Sequence, residues 1–277
     1  MLVKETLISK VTTRIPIWTK HQKRQALVVV SIGDEHQFFY SLTRPSIEAY
    51  AGRIGATLLN LDGVDALPAN LVDVVRARST WSERDPLPYV AKCWAIYNAL
   101  GKFQRVALLD STCVVQRQCA NLFDLIPPNS IGGFDESTLS EFMSWRIDAC
   151  LAKEKRGIDL PVYFNTGVLV ISICHRCLLS PTNIINNLDL FHGPYADQLF
   201  INIVIAQSNA QIYKLPRTYN YVPVFNYADE SQRKISRLDT TQLQVTCEED
   251  HIIHVTGYFE HREFILTQII RHLFKSA

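Results

Sequence analysis

The feature that most constrains this chain is a strand–helix–strand pattern near its start. Residues 26–32 (ALVVVSI) form a short, β-branched apolar run that stops at Gly33 and Asp34, as a buried strand entering a loop does. Residues 38–52 place Leu42, Ile47 and Tyr50 at helical spacing, with Gly52 or Gly55 available to end the helix. Residues 56–61 read as a second strand. Strand, helix and strand in this order form a βαβ unit, which predicts an α/β fold with a parallel sheet. No linker rich in Gly, Pro or Ser and no internal repeat follows, so a single domain over residues 1–277 is the expectation.

The rest of the chain extends the pattern. Residues 89–100 have helical spacing and lead into residues 105–109 (RVALL), a buried strand that runs straight into Asp110. Residues 167–173 (GVLVISI) predict another strand, residues 197–206 a helix, and residues 212–215 and 251–255 two short late strands. Residues 262–274 put Leu266, Ile269, Ile270, Leu273 and Phe274 on one helical face. A helix packed on the sheet is the expectation there; peripheral contact with a membrane, aided by Arg271, His272 and Lys275, is the alternative. Ligands of open α/β sheets bind beyond the carboxyl ends of the strands, which directs attention to residues 31–34, 110–112 and 254–257.

Composition removes several classes of function. The formal charge of +1 provides no global field for gathering nucleic acid. The longest apolar runs are too short to cross a bilayer, and residues 1–25 are basic but lack the apolar core of a signal peptide. Seven cysteines, an odd number without a disulfide-scaffold spacing, fit a reduced, cytoplasmic location. Cys174 and Cys177 form one CxxC with no matching second pair, so they read as ordinary thiols at a strand end.

Several residues have chemistry suited to a phosphate or sugar ligand. Asp110 ends a hydrophobic strand (VALLDSTCVV), where a carboxylate can hold a divalent cation against two phosphates. Asn165 in YFNTG can hydrogen-bond sugar hydroxyls, and Gly167 permits close backbone approach. Asp197 and Gln198 open a helix, His254 ends a late strand, and Lys92 lies on the helix before the Asp110 strand. Each has a bland reading as a turn, a helix cap, a structural hydrogen-bonder or a solvated face.

The order of these features resembles the GT-A glycosyltransferases of family 8, the glycogenin and bacterial galactosyltransferase group, and their near relatives. RVALLDSTCVVQRQCANLFDLIP looks like the family's strand and metal motif, YFNTGVLVIS like its sugar-site strand, ADQLFINIVI like its Asp-Gln helix, and HIIHVTG like its late metal-ligand histidine. The resemblance implies a GT-A fold: a mixed, mostly parallel sheet flanked by helices, with a core at about residues 26–258 and a C-terminal helix at 262–275. It implies transfer of a sugar from a nucleotide-sugar donor, in the UDP-hexose class, to a glycan, lipid or protein hydroxyl. Residues Val30, Ser31, Gly33 and Asp34 would hold the nucleoside. Lys92, Ser111, Gly257 and Arg262 would approach the diphosphate. Asp110, Thr112 and His254 would bind a divalent metal, Mn2+ or alternatively Mg2+, and Asp135, Asn165, Asp197 and Gln198 would surround the donor sugar and reaction centre.

Two departures stand out. Thr112 occupies the second acidic position of the family's Asp-x-Asp, and a hydroxyl is a poorer ligand for a hard cation. The family's lysine after the late glycine is missing, leaving His261 or Arg262 to substitute. Thr112 motivates the alternative of a catalytically inactive nucleotide-sugar-binding or scaffold protein. Retention or inversion stays open, and an aromatic acceptor surface is sought at residues 81–88 or 219–227. A dinucleotide-dependent oxidoreductase is disfavoured, because the first strand lacks a glycine-rich phosphate loop.

Overall fold

A computed structural model of the chain describes residues 23–78, 85–139, 144–191, 195–223, 228–229, 234–235, 251–256 and 262–274. The opening unit is β1 (Lys23–Val30), α1 (Asp34–Ile54) and β2 (Thr57–Leu61), and the two strands pair in parallel, with Ala26 opposite Thr57 and Val30 opposite Leu61. The helix begins at Asp34, earlier than its apolar spacing suggests. Gly33, at φ 89°, turns the chain, and Asp34 and Glu35 place negative charge on the first helical turn. Gly55 ends the helix in the left-handed conformation at φ 66°, donating to the carbonyls of Ala51 and Gly52.

There follow α2 (Ala69–Arg78), α3 (Leu87–Ala99), β3 (Phe103–Leu109), β4 (Cys113–Val115), α4 (Leu122–Leu125) and β5 (Ser130–Asp135). The chain continues through α5 (Ser144–Arg156), β6 (Phe164–Ser172), α6 (Pro181–Asn186), α7 (Ala196–Ala206) and β7 (Gln211–Leu215). A small β8–β9 pair (Ala228–Asp229, Lys234–Ile235), β10 (Ile252–His254) and α8 (Arg262–Phe274) complete the described elements.

The main sheet runs β2-β1-β3-β6-β5-β7. All its neighbours pair in parallel except at β6, which is antiparallel to both β3 and β5. That reversal positions the site, because it brings the amino end of β6 beside the carboxyl ends of β3 and β5: Leu109 pairs with Val168, and Asp135 with Phe164. Beyond β3 the chain turns into β4, which pairs antiparallel with β10 and sets His254 opposite Cys113.

Strand alternation sorts the apolar side chains onto two covered faces. Val28, Val30, Val106, Leu108, Leu169 and Ile171 pack with α3 and α7 residues such as Ile96 and Phe200. Leu27, Val29, Ala107, Leu109, Val168 and Val170 pack on the opposite face with Ile47 and Tyr50 of α1. Both faces being covered explains why these strands read as unbroken apolar runs. A third cluster joins Ile265, Leu266 and Ile269 of α8 to Phe39, Val114, Ile253 and Val255. Burying each such side chain stabilises the fold by about 1.5–3 kcal/mol. The apolar face of α8 is thus directed into the protein, as the packed-helix reading expected. Among the described residues no helix is long and apolar enough to cross a membrane. Cys174 and Cys177 lie exposed on a short 3-10 turn, Ile173–Leu179, directly after β6.

Candidate active site

A cavity opens where the ends of β1 and β3, the start of β6, the start of α7 and the end of β10 converge. At its centre stands Asp110. Its backbone N–H donates to the Gly167 carbonyl at 2.9 Å, locking the β3 end to the β6 start. Lys92, rising from α3, brings its ammonium to 2.6 Å from Asp110 Oδ1 and 3.4 Å from Asp197 Oδ2. Burial opposes the charge on both partners. The two carboxylates nonetheless raise the lysine above its ordinary range, and the Lys92 ammonium holds the Asp110 carboxyl well below its own. The site therefore carries a fixed cation and a fixed anion at neutral pH.

His254 closes the other side, with Nε2 at 3.2 Å from Asp110 Oδ2 and Nδ1 at 3.0 Å from Asn220 Oδ1. Its ring lies directly over Gly167. A Cβ at that position would come within 2.0 Å of His254 Cε1, so only glycine fits beneath the imidazole. The start of α7 supplies Asp197 and Gln198. Asp197 Oδ2 accepts from Thr166 Oγ1 at 2.9 Å, and Gln198 Oε1 accepts from the Thr166 N–H at 3.0 Å. Gln198 Nε2 donates to Glu136 at 2.7 Å; burial, the larger effect, pushes that carboxyl up to about 7 despite this bond. Tyr195 precedes α7 at φ 66°, a left-handed conformation that costs a tyrosine on the order of 1–3 kcal/mol, and it lines the cavity.

The structure brings most of the sequence candidates together. Val30, Lys92, Asp110, Ser111, Asn165, Asp197, Gln198, His254 and Arg262 all line the cavity. Ser111 Oγ sits 3.3 Å from His36 Nδ1, and Arg262 donates to the Val255 carbonyl at 3.0 Å while lying over the Phe39 ring. Ser31 turns away, donating to Asn60 Oδ1 at 3.0 Å; Gly33 and Asp34 are exposed at the start of α1, outside the cavity lining. Gly257 and His261 lie outside the described residues, as do residues 81–84 and 224–227 of the two aromatic stretches. Tyr219 is stacked on His251 rather than facing the cavity.

Two candidates lie away from the cavity lining. Asp135 does not reach the cavity: its carboxylate accepts from Ser137 and the Tyr163 N–H and pairs with Lys214 at 2.7 Å, on the β7 side. Thr112 is fully buried, its Oγ1 has no hydrogen-bond partner, and only its carbonyl is engaged, by the Val255 N–H. Successive residues leaving a strand point to opposite sides, so Ser111 enters the cavity and Thr112 enters the core. Sequence reasoning did not single out Glu136, Asn220, Thr166 or His36, although Thr166 lies within the quoted YFNTG and Asn220 within the 219–227 stretch.

These residues allow a test of the divalent cation that the resemblance implies. Two donors held at about 2.1 Å from one ion and at right angles lie about 3.0 Å apart. Asp110 Oδ2 and His254 Nε2, at 3.2 Å, match that separation. Among the described residues no group of three His, Cys, Asp or Glu side chains converges to hold an ion, and Thr112 does not line the cavity. The donor set fits a cation bound by two protein ligands, with its remaining positions left to other oxygens.

No protein-family model matches the sequence, and no curated protein matches it. Solved structures do share its fold. A glycosyltransferase involved in the glycosylation of the major capsid of PBCV-1 is 13% identical, with a TM-score of 0.55 over 88% of this chain and 98% of that one. The bifunctional glycosyltransferase WbbM is 14% identical, with a TM-score of 0.57 over 91% of this chain, which spans 50% of WbbM. Galactosyltransferase LgtC, in complex with donor and acceptor sugar analogues, is 16% identical, with a TM-score of 0.52 over 90% of this chain and 96% of that one. The chain therefore has the GT-A fold shared by these glycosyltransferases.

Proposed function

We propose that this protein is a glycosyltransferase that moves a sugar from a nucleotide-sugar donor, in the UDP-hexose class, to a glycan hydroxyl. The observation that carries this reading is the convergence of Asp110, His254 and Lys92 at the end of β3, in a cavity of a GT-A fold. Asp110 and His254 would hold a divalent cation, which would supply charge neutralisation for a diphosphate leaving group. Lys92 adds a second positive charge fixed by two carboxylates, so it needs no reorganisation when the leaving group develops charge. Arg262 also lines the cavity, where its guanidinium suits phosphate oxygens. Asp197 and Gln198, fixed by Thr166, face the donor sugar. The six described cysteines are free thiols, which supports a reducing compartment.

A second reading, nucleotide-sugar binding without turnover, draws on the burial of Thr112, which leaves the cation with few protein ligands. Calorimetric titration with UDP and GDP, each with and without Mn2+, on wild type and Asp110→Asn tests the site. Metal-assisted binding of one nucleotide that the variant loses supports it; absence of binding to either nucleotide removes it.

A further inference from the structure

The orientation of the His254 ring follows from a single backbone donor. The Gly167 N–H can only donate, so the Asn165 atom that it meets at 2.9 Å is the carbonyl oxygen Oδ1. Asn220 meets the same oxygen at 2.9 Å and must present its Nδ2 there. The other end of that amide, Asn220 Oδ1, then faces His254 Nδ1 at 3.0 Å. An amide oxygen accepts and cannot donate, so Nδ1 carries the proton. A neutral ring protonated at Nδ1 has its lone pair on Nε2, and Nε2 points at Asp110 Oδ2.

We propose that Asn220 is a positioning residue that fixes His254 as the Nδ1–H tautomer and turns the Nε2 lone pair toward Asp110. Asn220 is fully buried at the end of the 3-10 turn Arg217–Tyr219 and does not line the cavity, so it acts through the two cavity residues it bonds, His254 and Asn165. Gly167 supplies the second constraint, since its bare Cα lets the ring lie flat against the β6 start. The same backbone residue therefore sets the tautomer through its N–H and the ring position through its missing side chain. Asn165 is drawn into this chain as well: its Oδ1 already accepts from Gly167 and Asn220, leaving Nδ2 as its donor. The tautomer stands on hydrogen-bond geometry alone; its effect on cation affinity rests on the donor-site reading above.

Nitrogen-15 NMR of histidine-labelled, metal-free protein above pH about 8, where an ordinary histidine is neutral, reads the tautomer. Wild type is expected to show Nδ1–H for His254. Asn220→Ala, which removes the acceptor, is expected to shift the ring toward Nε2–H, whereas Asn220→Asp keeps an acceptor and the Nδ1–H signature. Mn2+ affinity, measured on the same proteins, should fall about 10- to 100-fold in Asn220→Ala, as loss of an outer partner of a ligating histidine does. An Nε2–H ring in wild type, or an unchanged tautomer in Asn220→Ala, overturns the inference. A tautomer that shifts as expected while wild type binds no Mn2+ upholds Asn220's role and removes the cation from the donor site. Should Asn220→Ala fail to fold, the wild-type and Asn220→Asp spectra still decide.

Discussion

Replacing Gly167 with alanine tests the site where its packing is tightest. The added Cβ would lie 2.0 Å from His254 Cε1 and 2.1 Å from Nδ1. Ordinary carbon contacts begin near 3.5 Å, so the ring must retreat by roughly 1.5 Å. It has little room, being 2% exposed. A shift of that size breaks the 3.2 Å contact with Asp110 and the 3.0 Å contact with Asn220. Overpacking costs about 1–3 kcal/mol, and each buried polar group left without its partner costs about 1–3 kcal/mol more. The expected loss is about 3–9 kcal/mol, comparable with the roughly 5–15 kcal/mol that holds a domain folded. Urea unfolding of Gly167→Ala measures it, with Gly133→Ala as the control, since there the new Cβ meets Phe164 at a milder 3.2 Å. If Gly167→Ala unfolds at the wild-type denaturant midpoint and binds nucleotide with wild-type affinity, the placement of His254 over Gly167 is wrong.

Three further outcomes follow from the same contacts. Lys92→Met leaves Asp110 and Asp197 without their counter-charge, and should destabilise the protein by about 3–5 kcal/mol in urea unfolding at neutral pH; an unchanged midpoint would contradict the buried pair. Burial of Glu136 raises its carboxyl from 4.5 to about 7, with Asp148 and Asp135 adding to the rise. Its contribution is therefore fully present below pH 4.5 and is lost as pH climbs through about 7, a fall on the order of 3 kcal/mol. Glu136→Gln should flatten that part of the stability–pH profile between pH about 4.5 and 7, and parallel profiles would refute the assignment. Leu266→Ala should cost about 2–5 kcal/mol, because α8 packs inward; no loss would return its apolar face to a membrane or partner.

The sequence made the covered strands legible and left others hidden. Strands β1, β3 and β6 are continuous apolar runs, and β-branched content separates them from helices. The direction of β6 was not legible, since periodicity is the same for a strand running either way. Strand β5 (SIGGFD) was missed because its two glycines replace the apolar signal: Gly132 lies beneath Ile126, where a Cβ would come within 2.5 Å. The site's ordering motifs could be recognised only jointly, since Asp110 and His254 are 144 residues apart. Asp135 entered through the family resemblance, and Glu136 carried no signal, because composition cannot say which of two adjacent acids at a strand end turns inward. Here Asp135 pairs with Lys214 and Glu136 holds Gln198. Asn220 carried no signal, because its role depends on a hydrogen-bond chain that closes only in the folded protein.

The most direct test of the central claim is release of nucleoside diphosphate from a panel of nucleotide sugars, with and without Mn2+ and a glycan acceptor, by wild type, Asp110→Asn and Lys92→Met. Acceptor-stimulated release from one donor by wild type, lost in Asp110→Asn and strongly reduced in a folded Lys92→Met, is the predicted result. Release that persists in Asp110→Asn would move the chemistry away from the end of β3, and no release from any donor by wild type would contradict glycosyl transfer itself.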